Sequence, residues 1–462
     1  MDGSLPDDEP LPEVIVIASD GDAILDVVFE SSRETLTAAR KAAQVRPTLR
    51  ARDGAAKAVP KARTRVAYRV KVDALRKHSK YFDNLLGDTR FQEAKTIVDA
   101  FKNMSLRGVE PAELEDRELP RIPLGDDDEA TRSVGRDVVF AELLRILHRK
   151  ETVKTMKNPP TLLQLSMLAV LADRFDCKAP VSAYMRGLRF KFPQPRTRVL
   201  QDEGGPPVLA NEDSIRQKIL TSWLLNEPAR FQTGTKELIL FGSRNWSLYR
   251  EDEESQTALW WDLPDGLERE LQYRRECILN CIASIQSHFL GLYTSRTRQC
   301  KLGYSSSVAC DSFQLGEMVR FLSNKELMFL VDFSPASVDQ VSDCSTTDIY
   351  HILSTLKQCP SYQIDNNHTN CGLRTRILPI LEYIHSMLSS SIVAISRNAW
   401  EKDREGTSWA PRGDGDDGHA KVFKFTRSLS GDQRLRFEGA MAADRMAREL
   451  FTSTEWDWTP ET

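Results

Sequence analysis

The 462-residue chain has no uninterrupted apolar run approaching the ~20 residues that a membrane-spanning helix requires. Its N-terminal sequence, MDGSLPDDEP, is acidic and lacks the apolar core of a secretory signal. We therefore expect an intracellular protein, nuclear or cytoplasmic, that does not contact a membrane. In a reducing compartment its eight cysteines are expected to be free thiols or metal ligands, because disulfides are rare there.

Familiar catalytic and cofactor-binding motifs are also missing. The chain contains no G-x-S-x-G nucleophile elbow, no phosphate-binding G-x-x-x-x-G-K-[S/T], no G-x-G-x-x-G after a strand and no H-E-x-x-H. Seven histidines in 462 residues offer little general acid–base chemistry. A net charge of −4 gives no global reason to expect a nucleic-acid partner. We expect a non-enzymatic protein.

Composition divides the chain into two ordered parts. A Pro/Gly-rich stretch separates a first domain of strands and helices from a mostly helical one. Two charged stretches inside the first domain have the composition of solvated insertions. The expected divisions are a disordered N-terminus at 1–12, a first domain at 13–190 with insertions at 37–65 and 103–136, a linker at 191–212, a helical domain at 213–400 and a mostly disordered tail at 401–462 with one short helix in AADRMARELF.

The first domain begins with two strands in EVIVIASDGDAILDVVF, on either side of the Asp20-Gly21-Asp22 turn. In YRVKVDALRKHSKYFDNLL, residues 68–86, a period of two changes to a helical period at Asp73, which is placed to cap that helix. Ser79 lies in the apolar stripe of the expected helix, where its hydroxyl can bond the carbonyl one turn back. LPRIPL predicts a further strand, and the segments after 137 and after 160 predict two helices.

The second domain is predicted to be helical up to about residue 400. Asp265 and Glu268 form a capping-box pattern before a long apolar period that reaches residue 292. Asp311 with Gln314 predicts the start of another helix. Two more helices are predicted, one opened by Ser345 and Asp348 and one over 372–388 that contains Pro379.

Three segments together resemble a BTB/POZ domain. ALRKHSKYFDNLL has the family's leucine, serine and aromatic pair at Leu75, Ser79, Tyr81 and Phe82. LLRILHRK and LAVLADRFDC resemble its later paired helices, the second of which ends in an Ala-Asp-aromatic pattern. Segments beyond residue 213 resemble the C-terminal region of large, mostly uncharacterised BTB proteins of filamentous fungi. The histidine or basic pair that often opens the family's helix is replaced here by Val72-Asp73.

The resemblance implies an α+β fold, a small sheet flanked by helices, that self-associates as a homodimer and binds other proteins. In family members that serve cullin-type ubiquitin ligases, a hydrophobic-x-Glu element follows this helix, and Phe91 and Glu93 stand at that place. The leading functional expectation is a substrate adaptor for such a ligase. A simple loop anchor is the alternative interpretation of Phe91 and Glu93, since three residues are a short motif.

Cysteine and histidine spacing suggests one metal site. Cys300 and Cys310 flank a Gly/Ser-rich loop, and His368 and Cys371 lie on a second polar loop, with Cys359 as a reserve ligand. Thiolate and imidazole suit zinc, and two ligand pairs on two loops can close a tetrahedral structural site. The alternative is a set of free thiols beside a solvated histidine, because C-x9-C followed by C-x8-H-x2-C is not a tight zinc-knuckle spacing.

A basic segment, residues 40–71, supports a second functional expectation. It contains eleven Lys and Arg residues and a single acid, Asp53, which would suit phosphate backbones or nuclear import. It lacks interleaved aromatic residues for stacking on bases. The alternative to the adaptor is therefore a nuclear regulator that meets DNA or chromatin through this segment, and the alternative to both uses is a solvated loop.

Overall fold

The structure is a computed structural model in which the chain is α+β, with a small mixed sheet and many helices. The chain divides into two compact units, Met1–Glu227 with Glu254–Asp262 and Pro228–Glu253 with Leu263–Thr462. In the part that the structure describes, no helix is both long and apolar enough to cross a membrane. The described residues are 12, 14–45, 60–149, 160–188, 209–246, 257–331, 347–369, 371–411, 421–432 and 441–459.

The first unit contains a four-stranded sheet in the order β1-β3-β2-β4. β2 and β3 are antiparallel, whereas β1 is parallel to β3 and β4 is parallel to β2. The two strands predicted around Asp20-Gly21-Asp22 are present, but β3 lies between them, so they do not form a hairpin. Between these two strands the chain crosses the end of β3, where the Asp22 N–H donates to the Val70 carbonyl. The strands are β1 (Val14–Val16), β2 (Ala23–Glu30), β3 (Arg63–Val70) and β4 (Arg121–Asp126).

Two short helices, and not the predicted single one, follow β3. α2 (Val72–His78) begins before Asp73, and its first N–H is accepted by the Asp22 carboxylate at 2.8 Å, so Asp73 is not the cap. Ser79 separates α2 from α3 (Lys80–Gly87), and its hydroxyl accepts from the Phe82 N–H at 3.1 Å. The expected bond from this hydroxyl to a carbonyl one turn back is therefore replaced by an N-cap.

Both predicted insertions contain regular structure. α1 (Arg33–Val45) occupies the start of the first, residues 46–59 lie outside the described residues, and β3 begins at Arg63. α4 (Gln92–Arg107) extends into the second insertion, and β4 follows as LPRIPL predicted. A surface helix can have the same composition as a solvated loop, because most of its residues face solvent and are polar or charged.

Four further helices complete the first unit and confirm the predicted helical pair. α6 is opened by a capping box in which Thr161 accepts from the Gln164 N–H. α8 joins this unit because the Thr221 hydroxyl donates to Ser166 on α6 at 3.0 Å. The first continuous stretch of the unit therefore ends at Glu227, beyond the linker predicted at 191–212, of which 191–208 lie outside the described residues. The helices are α5 (Arg136–Leu147), α6 (Leu162–Arg174), α7 (Lys178–Gly187) and α8 (Leu209–Leu224).

The second unit is built around a long buried helix, α10. Gly266, at φ 74°, precedes it without a side-chain cap, so the capping box predicted at Asp265 is absent. α11 begins at Ser307, earlier than the predicted Asp311. α12 begins at Ile349 and is capped by Asp348, which accepts from the Tyr350 N–H at 2.8 Å, whereas Ser345, the first residue of the predicted opening pair, lies outside the described residues. These helices are α9 (Pro228–Phe241), α10 (Leu267–Thr294), α11 (Ser307–Asn324), α12 (Ile349–Leu356) and α13 (Leu373–Met387).

The C-terminal segment is ordered over its described residues, so the prediction of a mostly disordered tail was wrong. β5 pairs in parallel with β6, and Trp458 and Phe451 are almost fully buried. The segment has few aliphatic residues because its aromatic side chains supply the buried surface. Its elements are α14 (Arg397–Lys402), α15 (Arg404–Thr407), β5 (Val422–Lys424), α16 (Arg427–Gly431), α17 (Met441–Thr452) and β6 (Glu455–Asp457), of which α17 was predicted.

Candidate metal centre

Four of the five ligands suggested by the sequence meet in the second unit. The ligand atoms of Cys300, Cys310 and His368 all lie within 4.8 Å of one another, and all three residues are buried. The Cys371 sulfur lies 3.6 Å from the Cys310 sulfur. In a tetrahedral zinc site with Zn–S bonds of about 2.3 Å, two sulfurs are about 3.8 Å apart. The cluster could therefore hold a metal ion with little rearrangement.

The first ligand pair is positioned by the start of α11. Cys300 follows α10 by a short loop, and Cys310 lies in the first turn of α11. The Asp311 carboxylate accepts from the backbone N–H groups of Gln299 and Cys300, at 2.7 and 3.0 Å. Asp311, predicted to open the helix, instead ties the loop to the helix beside Cys310.

The second pair lies on the turn before α13. The Cys371 N–H donates to the His368 carbonyl at 3.2 Å, which folds the H-x2-C segment into a turn. Gln314 of α11 joins this segment to the first loop, because its amide donates to the Tyr362 carbonyl and accepts from the Leu373 N–H at 2.8 and 3.2 Å. One helix thus holds both loops.

Asp365 sets the orientation of the imidazole and was not among the residues singled out from the sequence. Its Oδ1 lies 2.8 Å from His368 Nδ1, while His368 Nε2 faces Ser307 Oγ at 3.4 Å. A carboxylate on one ring nitrogen leaves the other available as a metal ligand, which is the usual arrangement at zinc-bound histidines. The D-x-x-H spacing on a polar loop is the signal that could have indicated it.

Of the three thiols in the site, that of Cys300 has the lowest pKa. Burial opposes ionisation of Cys300, but hydrogen bonds from Ser307 and the Leu302 backbone outweigh it and lower the pKa of this thiol to about 7. Burial raises the pKa of Cys310 and of Cys371. Hydrogen bonds from Ser306 and His368 lower the pKa of Asp365 to about 2. Metal ligation by cysteine requires thiolate, so binding would release protons from the remaining thiols.

Cys359 lies apart from the cluster. It is buried, and its sulfur contacts the Pro360 carbonyl at 3.7 Å. Cys277 and Cys281 are buried on α10, where burial raises the pKa of Cys277 to about 12. Of the described cysteines, only Cys300, Cys310 and Cys371 gather around His368.

In the first unit, the residues of the resemblance meet in one contact. The Ser79 hydroxyl donates to the Phe175 carbonyl at 2.6 Å, across 96 positions of sequence. Phe82 stacks on Phe175 with ring centroids 5.2 Å apart and an interplanar angle of 4°. The two motifs that were identified separately therefore lie against each other.

The proposed cullin-contact residues lie at the start of α4. Phe91 is the residue before the helix and is 42% exposed, and Glu93 lies in its first turn and is half-buried. The structure gives each of them a position on the surface of the first unit, compatible both with a docking element and with a loop anchor.

Most cations at the C-terminal end of the basic segment, residues 60–71, are paired with acids. Arg65 contacts Asp26 at 2.7 Å, and Lys71 contacts Asp20 at 2.6 Å. Arg69 is buried and contacts Asp116 at 3.0 Å. These guanidinium and ammonium groups are committed within the fold, whereas residues 46–59 lie outside the described residues.

Comparisons with known proteins gave no match to any family model, curated protein or solved structure. The functional proposal therefore rests on the residues and contacts within each of the two units.

Proposed function

We propose that this chain is a non-enzymatic scaffold that binds other proteins. Its first unit self-associates in the manner of a BTB/POZ domain, and its second unit is stabilised by one structural zinc ion. The observation that carries the first part is the contact of Ser79 and Phe82 with Phe175, because it joins the two motifs on which the resemblance depends.

A structural role for the metal follows from the ligand set. Cys300, Cys310, Cys371 and His368 provide three sulfurs and one nitrogen, which complete four-coordinate zinc without an open position for substrate. Sulfur-rich sites favour zinc over magnesium or calcium, which prefer oxygen ligands. The ion would link the α10–α11 loop to the turn before α13.

The narrower proposal is a substrate adaptor for a cullin-type ubiquitin ligase, with Phe91 and Glu93 in the contact. An exposed apolar side chain next to one charge is a workable docking element. The nuclear alternative is placed second, because Arg65, Arg69 and Lys71 are paired with acids of the same fold, which reduces the positive charge that this end of the segment offers to phosphates. Deleting residues 46–59, which lie between α1 and β3, should leave an adaptor unaffected and abolish nucleic-acid binding by a chromatin protein.

Native mass spectrometry of the full-length protein tests self-association and metal binding together. We expect a dimer that carries one zinc ion per chain and loses the ion on acidification. Val16→Asp should weaken the dimer, because Val16 is 56% exposed on an edge strand of the sheet. Val422→Asp is the matched control, an exposed valine on a strand of the other unit. A monomer would overturn the self-association proposal, and a bare-chain mass would overturn the metal proposal.

Adding a cullin N-terminal domain tests the adaptor role. We expect one cullin per chain, and Phe91→Ala with Glu93→Ala should abolish the complex while preserving the dimer. Leu106→Ala with Glu110→Ala is the control, because it removes an exposed apolar side chain and a nearby exposed acid from the same unit. A dimer that ignores cullin would overturn the adaptor role and leave a scaffold.

A further inference from the structure

We propose that the loop carrying Cys300, together with the first two residues of α11 (residues 295–308, here called the metal loop), is a docking surface for an acidic protein segment that also bears apolar side chains. The proposal rests on the proposed metal centre for the fixed shape of the loop. The apolar and cationic side chains that would meet the partner are not metal ligands.

The metal loop has three exposed apolar side chains close together in sequence. Leu302 is 46% exposed, Tyr304 48% and Val308 68%. They lie within seven positions of sequence, on either side of the turn closed by the Ser307 N–H to the Tyr304 carbonyl at 2.9 Å. Clustered exposed apolar side chains of this kind mark interaction sites more often than isolated ones do.

The same loop is cationic. Arg296, Arg298 and Lys301 are exposed, and none of them forms an ion pair with a described residue. The nearest acid in the sequence, Asp311, has both carboxylate oxygens engaged by backbone N–H groups. The exposed charged side chains within the loop are therefore all cations, and they lie beside its exposed apolar side chains.

The loop is held in one shape by contacts on both sides. Gly303 adopts a left-handed conformation at φ 79°, and the Tyr304 N–H donates to the Ser307 hydroxyl at 3.1 Å. The Tyr304 ring lies 5.9 Å from the His368 ring, next to the ligand cluster. A preorganised loop loses less conformational entropy on binding than a flexible one.

The cations and the exposed apolar side chains of the metal loop together indicate which class of partner would bind. Three cations attract an acidic segment, and steering of this kind gives specificity as well as association rate. Nucleic acid would also satisfy the cations, but two of the three exposed apolar side chains are aliphatic, and single-stranded nucleic acid is held by stacking on aromatic rings. Leu302 and Val308 are instead suited to pack against apolar side chains of a protein.

A displayed random-peptide library, selected on full-length zinc-loaded protein, tests the proposal. Counter-selection uses a variant with Leu302→Ser, Tyr304→Ser and Val308→Ser. We expect enrichment of peptides that combine Asp or Glu with Leu, Phe or Trp. An enriched peptide, synthesised with a fluorophore, should bind the serine variant and an Arg296→Glu, Arg298→Glu variant at least about tenfold more weakly. Leu106→Ser with Arg107→Glu, an exposed pair on α4, is the control and should bind as the wild type does.

Three results would overturn the inference. These are no enrichment over the serine variant, selected peptides without acids, or a single-stranded DNA of random sequence that binds the loop more tightly than the peptides do. Zinc content is measured on every sample. Wild-type protein without zinc overturns the proposed metal centre, whereas zinc-loaded wild-type protein that enriches no peptide overturns the docking surface.

Discussion

At the scale of single residues, Ser79 joins two distant parts of the first unit. Its hydroxyl caps α3 by accepting from the Phe82 N–H and donates to the buried Phe175 carbonyl. Ser79→Ala removes both bonds and leaves a buried carbonyl unsatisfied. We expect the free energy of unfolding to fall by about 1–3 kcal/mol, as measured by chemical denaturation of the full-length protein.

Ser386→Ala is the control for this change. Ser386 is half-buried on α13, where its hydroxyl forms a solvent-accessible hydrogen bond to the Glu382 carbonyl one turn back. Water can replace that bond, so stability should change by less than about 0.5 kcal/mol. Equal effects of the two substitutions would show that the bond from Ser79 to Phe175 adds nothing to stability. They would also weaken the proposal that the first unit resembles a BTB/POZ domain, which depends on that contact.

At the scale of secondary-structure elements, the C-terminal segment completes the second unit. Trp458 follows β6, is fully buried, and donates its indole N–H to Ser284 of α10 at 2.9 Å. Trp458→Ala would leave a large cavity against α10, and we expect it to cost about 3–5 kcal/mol of stability. Differential scanning calorimetry measures the loss as a lower melting temperature of the second unit.

Trp456→Ala serves as the comparison, since Trp456 lies two positions earlier, in β6, and is only half-buried. Its effect should be clearly smaller because less apolar surface is lost. If the two tryptophan variants melt alike and close to the wild type, the C-terminal segment is not part of the core.

Periodic elements were predictable, and their ends were not. The period of 3.6 in the apolar residues located α5, α6, α10 and α13. Helix starts were predicted from acids before the period, but α2 takes its cap from the distant Asp22, and Asp311 binds a loop instead of a helix end. A sequence pattern shows which side chains can cap, and tertiary structure decides which N–H groups each carboxylate meets.

The prediction of disorder for most of the C-terminal segment failed for a different reason. It has no sustained aliphatic period, so the sequence favoured disorder for most of it. Burial of Phe423, Phe451 and Trp458 depends on the surface that α10 and α13 provide, which a local pattern does not contain.

At the scale of the whole molecule, the candidate metal centre was the best-predicted functional feature. Ligand chemistry and sequence spacing together grouped Cys300, Cys310, His368 and Cys371 and placed Cys359 in reserve, and the first four meet in space. The sequence did not indicate Asp365 or Gln314, because their roles depend on loops that approach each other only in the folded chain.

The metal should stabilise one unit and not the other. Removing the ion removes the metal–ligand bonds that join the α10–α11 loop to the turn before α13. Chelation should therefore open both loops locally. Hydrogen–deuterium exchange, measured before and after a zinc chelator, should speed up at least about tenfold at the Cys300 and Cys371 amides, a loss of about 1.4 kcal/mol in opening free energy. Exchange in β2 and β3, whose bonds lie within the first unit, should not change.

Cys359→Ser is the control for ligand identity, because Cys359 is buried apart from the cluster. It should retain the chelator response, whereas Cys310→Ser should exchange quickly at both loops before any chelator is added. An unchanged exchange pattern on chelation would mean that the four side chains meet without a metal, and the second unit would then owe its stability to its apolar core alone.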